Sequence, residues 1–360
     1  MNKIYKVVWN AARGCYVVAS ELVKTHRGKK SARRGSMLSR TGTALLLAIA
    51  GWGAACHFIY ANVTVADQKY NNDNYVKTDN IANGGTQYDI KNQQVKDGNA
   101  LNKFNDFVLK QHDVANLHMG EANHQINVVK NKIDIDGVVN AIKDNKIGGD
   151  VYFFSNAGIA VGEHGVFNVG RLTLGTNTAA GGALYEGYYY EPPQSGSVAT
   201  PVTFDRDKEF YGKSAVERAR LLNDGSLWGG NTAGDAGISF AGKINAKDSV
   251  VIASAKSDIK AESGSLIQTG AVFKPYTAGQ SADTYRNSLV NTAGIVDATT
   301  AIATKDGIAL VAKKDITLAG EVASHGRSID IETGDNLSVT GTEAKASRIT
   351  FGGGQNFGGG

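Results

Sequence analysis

From Ile238 onward the sequence repeats one short apolar device. Ile238-x-Phe240, Ile244-x-Ala246, Val250-x-Ile252 and Ile259-x-Ala261 are pairs of apolar residues separated by one position, divided by Gly, Asn, Lys and Asp. After a loop over 274–293 the device returns as Ile308-x-Leu310, Ile316-x-Leu318, Ile329-x-Ile331, Leu337-x-Val339 and Ile349-x-Phe351. A residue pair spaced by two lies on one face of a strand. A strand this short buries too little apolar surface to order itself. Stacking each turn of chain on the next, about 4.8 Å away, joins the pairs into one column and satisfies every strand backbone. Two or three steps make a turn of about 20–30 residues, within the range of a solenoid. The expected fold is all-β: a parallel β-helix. A sandwich or barrel remains the alternative and would use longer strands joined by hairpins.

The 44 glycines show no Gly-X-Y period, which excludes collagen, and the four prolines leave strands uninterrupted. Between 150 and 176, strands of three to five residues recur around the turn Asn156-Ala157-Gly158. Residues 98–109 read locally as helix or strand, because Leu101, Phe104 and Val108 have helical spacing while Phe104-x-x-Phe107 among asparagines suits a strand. Residues 177–235 break the rhythm. They hold Pro192, Pro193 and Pro201, the run Tyr188-Tyr189-Tyr190, and a helical stretch near 214–222 opened by the capping box Ser214-Ala215-Val216-Glu217. This region is expected to leave the scaffold and return to it. The expected organisation is a leader over 1–61, a first β-helical domain over 62–176, the insertion over 177–235, and β-helix repeats over 236–360 that continue into a longer protein, since the glycine-rich end from Gly352 supplies no cap.

The formal charge of +4 misleads, because it is unevenly placed. Residues 1–40 hold ten of the 38 basic residues and only Glu21 of the 34 acidic ones, and 41–66 hold none of either. The chain beyond residue 61 has 28 basic and 33 acidic groups, a net of −5, and no cysteine, since Cys15 and Cys56 both precede it. A nucleic-acid partner loses its electrostatic support. A basic stretch, the apolar core Ala44-Leu45-Leu46-Leu47-Ala48-Ile49-Ala50 and the small residue Ala61 come in the order of a secretory signal with cleavage at Ala61. An uncleaved membrane span is the alternative.

The forty residues ahead of the apolar core exceed what an ordinary signal needs. Met1-Asn2-Lys3-Ile4-Tyr5, Val8-Trp9-Asn10, Gly14, Val18 and Ser20-Glu21-Leu22 resemble the extended signal peptide region of proteins exported by type V routes, autotransporters and two-partner secretion exoproteins. Residues 62–176 resemble the secretion domain of two-partner exoproteins of the filamentous haemagglutinin type. That resemblance rests on Gly98, Ala100, Asn102, Phe104, Phe107, Val114-Ala115-Asn116-Leu117, Ile147-Gly148-Gly149, Val151-Tyr152-Phe153-Phe154-Ser155, Gly158-Ile159-x-Val161-Gly162 and Val166-x-Asn168-Val169-Gly170 with Leu172. The family's Asn-Pro-Asn-Gly-Ile is here Ser155-Asn156-Ala157-Gly158-Ile159, and its Asn-Pro-Asn-Leu is not visible, which points to a divergent branch such as the leukotoxin-like filamentous adhesins.

The resemblance implies a right-handed β-helix exported through a dedicated outer-membrane pore to the surface of a Gram-negative bacterium, with folding outside the cell helping to drive passage. It implies that Asn102, Phe104, Phe107, Asn116, Leu117, Asn156, Gly158 and Ile159 carry recognition by the pore's periplasmic domains or fix the first coils. A host-cell or surface receptor would be the further partner. No catalytic residue, cofactor or metal site is expected. His112, His118 and His124 flank Glu121 at a spacing that fits no usual ligand set and read as solvated turn residues. Asp134-x-Asp136-Gly137 lacks the remaining calcium ligands. Gly212-Lys213-Ser214 lacks the first glycine of a phosphate loop, the position being Asp207. The competing function class is a polysaccharide-active enzyme on the same scaffold, which would require Asp or Arg clustered on adjacent coils. Tyr188-Tyr189-Tyr190 would either touch sugars or pack the insertion.

Overall fold

The structure is a computed structural model that describes residues 5–10, 15–20, 61–191, 193, 198–273, 306–340, 343–345, 348–353 and 356–359. The chain divides into two units, Met1–Cys56 and His57–Gly360. In the first, Tyr5–Asn10 pairs antiparallel with Cys15–Ser20. The apolar core of the leader and the loop over 274–293 lie outside the described residues.

The second unit is a parallel β-helix with three faces. On the first, Gln87, Val114, Val138, Val166, Lys243, Leu266, Glu321 and Glu343 stand in register on successive turns. On the second the corresponding row is Ala100, Gln125, Val151, Leu172, Val250, Ile308, Ile329 and Ile349. The third aligns Leu109, Ile135, Val161, Phe240, Ala261, Leu318 and Val339. The apolar pairs read from the sequence between Ile238 and Leu337 enter one continuous core, with Val339 packed against it. Alternation along each short strand puts one pair inside per face, and parallel stacking joins the pairs into a single column. The glycine-rich end keeps the pattern: Arg348–Gly353 and Asn356–Gly359 take parallel register positions on the preceding turn.

Residues 98–109, ambiguous in sequence, form the strand Asn99–Leu109. Tertiary pairing decides the matter, for this strand runs parallel to His124–Val129 and antiparallel to Asn62–Val65. The antiparallel strand is part of a closure at the N-terminal end. There Val76–Asn80 also pairs antiparallel with Thr86–Lys91, and Gln94–Lys96 with Asn99–Leu101. Val63, Val65 and Tyr70 plug the core from this side, and Tyr70 meets Tyr75 edge-on at 4.9 Å. A bare first coil would offer an open row of backbone donors and acceptors, a template for unwanted pairing.

The insertion leaves the second face after Gly175 and returns at Ile238 on the third. It contains helix α1 (Ala179–Glu186), a hairpin of Tyr188–Tyr190 with Pro201–Thr203, a π turn at Asp207–Tyr211 and helix α2 (Ala215–Asp224). The capping box is formed: the Glu217 backbone N–H donates to Ser214 Oγ, and the Ser214 N–H donates to the Glu217 carboxylate. The insertion covers the outer side of the second face. Leu101, Ile126, Tyr152, Phe154, Val251, Ala253 and Ala309 pack there against Ala180, Leu184, Phe210, Ala219, Leu222 and Trp228. A strand buried on both sides loses its polar alternation, which is why Val151-Tyr152-Phe153-Phe154 reads as an unbroken apolar run. Polar ties reach across several turns. Tyr211 donates its hydroxyl to Asn99 Oδ1, Arg218 donates to Ser249 Oγ at 2.9 Å, and Asn223 Nδ2 donates to the Val311 carbonyl at 2.9 Å. Arg220 forms a forked pair with Glu332 through Nε, 2.8 Å from Oε2.

Phe153 is fully buried in the core, its ring edge-on to Phe107 at 5.0 Å and to Phe167 at 6.0 Å. Phe153→Ala is expected to lower stability by about 3–5 kcal/mol, read as a shift of the urea midpoint with an unchanged slope.

Candidate functional site

The eight residues singled out in sequence fall into three structural groups. The first is the closed end of the core. Phe104 and Phe107 meet edge-on at 5.4 Å, and with Leu117 they are buried beneath the antiparallel cap. Asn102 lies on the second face, also fully buried, and cannot remain there without partners. It accepts from the Gln93 backbone N–H at 2.8 Å and donates to Asn127 Oδ1 at 3.0 Å. Asn127 donates onward to the Tyr152 carbonyl at 3.1 Å. The Gln93 side-chain oxygen accepts from the Lys103 N–H at 2.9 Å, and Gln125 Nε2 donates to Asn92 Oδ1 at 2.7 Å. These amides stitch the capping segment to the first coils.

The second group is a ladder on the first face, in which Asn116 is one rung. Asn116 Nδ2 donates to Asp89 Oδ1 at 3.0 Å, Asn140 to Asn116 at 3.1 Å, Asn168 to Asn140 at 3.0 Å, Asn245 to Asn168 at 3.1 Å and Gln268 to Asn245 at 2.7 Å. Sequence separations of 27, 24, 28, 77 and 23 give the length of each turn, the value of 77 including the insertion. The four asparagines are at most 1% exposed. They alternate with core residues such as Ala115 and Leu117, so they lie on the side of the strand away from the core. Asp89 starts the ladder and accepts from Gln87 Nε2 at 2.8 Å and from His118 Nε2 at 2.9 Å. Burial alone would raise its pKa. The hydrogen bonds from His118, Gln87 and Asn116 outweigh that and hold it at about 2.

The third group ties the insertion. Asn156 Oδ1 accepts from the Thr178 N–H at 2.9 Å, where the insertion leaves, and from Thr232 Oγ1 at 3.1 Å, near where it returns. The Asn156 carbonyl accepts from the Gly234 N–H at 2.9 Å. Gly158 has a φ of +95°, and a Cβ there would come within 2.8 Å of the Ala236 Cβ and 2.9 Å of the Gly237 carbonyl. Glycine is needed on both counts. Ile159 comes next, in the core. Ala61 sits immediately before the capping strand Asn62–Val65.

Asp89, Gln93, Asn127, Asn140, Asn245 and Gln268 were not singled out in sequence, and Asn168 entered only through the family resemblance. A signal for the ladder was present: Val114-Ala115-Asn116-Leu117, Val138-Val139-Asn140-Ala141, Val166-Phe167-Asn168-Val169 and Lys243-Ile244-Asn245-Ala246 all place Asn between two apolar residues.

The histidines differ from the turn residues expected. His112 is in a turn at φ +76°, but His118 and His124 are on strands and pair with carboxylates. His124 Nδ1 lies 2.7 Å from Asp150 Oδ2, and its ring stacks on Tyr211 at 3.5 Å. Tyr152 donates its hydroxyl to Asp150 at 2.8 Å. Burial opposes ionisation of Asp150, but the His124 hydrogen bond, reinforced by the charges of His124, Arg171 and Arg218, lowers its pKa. This cluster joins the insertion to the second face. Asp136 Oδ1 accepts from the His164 N–H at 3.0 Å. Among the described residues no group of three or more His, Cys, Asp or Glu is placed to hold a metal.

Residues 1–50 match the family model of the extended signal peptide of the type V secretion system. A crystal structure of a filamentous hemagglutinin secretion domain is similar at 15% identity, covering 83% of this chain and 99% of that chain, with a TM-score of 0.29. No curated protein matches the sequence. The chain therefore carries a type V export signal ahead of a parallel β-helix, and is directed across the inner membrane and outward through the outer membrane of a Gram-negative bacterium. The matched family is an export signal and not an enzyme.

The lowered pKa of Asp89 has a definite sign in stability. Its contribution is present above the unfolded value, near 3.8, and is lost as pH falls through about 2. Asp89→Asn is expected to lower the urea midpoint at pH 7, and the gap from the unmodified protein is expected to close on acidification to pH ~2. Urea titrations at both pH values measure it.

Proposed function

We propose that this chain is the N-terminal part of a large two-partner secretion exoprotein, an adhesin or toxin. Its residues 62–176 are the secretion domain engaged by a dedicated outer-membrane pore, 177–235 the insertion and 236–360 the start of the repeating rod. The observation that carries the reading is the type V extended signal peptide on residues 1–50, ahead of a β-helix with a closed N-terminal end. Signal cleavage after Ala61 would leave the capping strand Asn62–Val65 intact at the new terminus. The absence of cysteine after Cys56 supports passage of an unfolded chain, because no disulfide can form in the oxidising periplasm to block a narrow pore.

The burial of Asn102, Phe104, Phe107, Asn116, Leu117, Gly158 and Ile159 supports a particular order of events. In the unfolded chain these residues are open to the pore's periplasmic domains, which can pair with an extended segment by strand addition. Once the coils stack outside the cell they are withdrawn from any partner, so folding and release coincide. The burial of apolar surface on stacking opposes backward movement of the chain. The rod beyond would present an adhesive or toxic part to a host-cell or other surface receptor. We assign no catalytic residue, cofactor or metal. The net charge of −5 after residue 61 gives no support for nucleic-acid binding.

Co-expression of the full chain with its two-partner outer-membrane pore is expected to place it in the medium, and omission of the pore to leave it in the periplasm. Deletion of 98–170 is expected to abolish export, with Asn116→Ala and Asn156→Ala each reducing it. Immunoblots of medium and periplasm are the measurement. Secretion without the pore would instead identify an autotransporter, and secretion unaffected by all three changes would overturn the secretion-domain assignment.

A further inference from the structure

A row of side-chain amides can run its hydrogen bonds in either direction, since every Asn or Gln carries both a donor group and an acceptor. Here the N-terminal end removes the choice. Asp89 is a carboxylate that only accepts, so Asn116 turns its NH2 toward it, at 3.0 Å, and thereby turns its Oδ1 toward Asn140. The same constraint passes through Asn168 and Asn245 to Gln268. At the far end, Gln268 Oε1 lies 3.3 Å from His325 Nε2, and an imidazole, which can donate or accept according to its tautomer, follows the direction set at Asp89 and does not impose one. Every amide of the ladder donates toward the N-terminal end.

We infer that Asp89 sets one hydrogen-bond direction for the whole ladder and thereby makes the coils add in order from the N-terminal end. A coil already in place offers a carbonyl oxygen, and the arriving coil supplies the NH2. Blocks stacked without the Asp89 coil have no reference for their amides. When two such blocks meet, a buried junction can face donor to donor or acceptor to acceptor, and each unmade buried bond costs about 1–3 kcal/mol. Hydrogen bonds aligned in one sense also polarise one another, so a correctly started ladder strengthens as it grows. The inference concerns the order of folding and goes beyond the export reading, whichever pore the chain uses.

Pulse-labelling hydrogen exchange during refolding of the full chain from denaturant tests this. In the unmodified protein, amides of Val114–His118 and Val138–Lys143 are expected to gain protection about tenfold faster than those of Leu266–Gln268. In Asp89→Asn the two sets are expected to be protected at equal rates. Should that variant not refold, Asn116→Leu severs the ladder from Asp89 while leaving Gln87 and His118 on the carboxylate, and is expected to show the same loss of order. Gln268→Leu removes the last rung without touching the reference and is expected to keep the order. C-terminal coils protected first in the unmodified protein, order retained in Asp89→Asn or Asn116→Leu, or order lost equally in Gln268→Leu would each overturn the inference.

Discussion

Every feature of this molecule depends on the poverty of its individual strands. A segment such as Ile259–Ala261 or Ile316–Leu318 brings two inward side chains and a few backbone groups, too little to offset the entropy of ordering it. Only the turn above and the turn below complete its hydrogen bonds and enclose its apolar pair. Stability is therefore a nearest-neighbour property along the axis, and whatever happens at the first turn matters more than in a fold with a shared central core. The antiparallel strands over Asn99–Leu109, the amides around Asn102 and the Asp89 carboxylate are all concentrated there.

The repeating part of this architecture was legible because its rule is local. An apolar-x-apolar pair needs no knowledge of its neighbours to be recognised, and the pairs between Ile238 and Val339 occupy the core side of their strands. The capping box at Ser214 was legible for the same reason. Asn99–Leu109 was ambiguous because its outcome is decided by strands on both sides that are distant in sequence. The N-terminal closure left no legible sign. Its residues, from Val63 to Tyr88, have no period, since each antiparallel strand occurs once.

The functional residues divide along the same line. Glycine at 158 and the turn around Asn156 could be read from local chemistry, though not the use of Asn156 to hold both ends of the insertion. Asn116 was picked out by resemblance to a family, while Asn140 and Asn245, which make the same bond, were not. Their common role is visible only when turns of 24 and 28 residues, and one of 77, are brought into register. The carboxylate pairs of His118 and His124 were hidden for a related reason, because Asp89 and Asp150 are supplied by neighbouring turns.

The insertion sits in sequence after Gly175, yet its polar ties run from Lys96 to Glu332. A chain emerging residue by residue from its amino end would complete the Tyr211–Asn99 tie as soon as the insertion itself was out. Arg220 would still be waiting for Glu332, more than a hundred positions behind it. On such emergence the insertion would act as a clasp closing in two stages, the first holding turns already made and the second shutting only after several later turns had arrived, so that its full closure would record a defined length of rod.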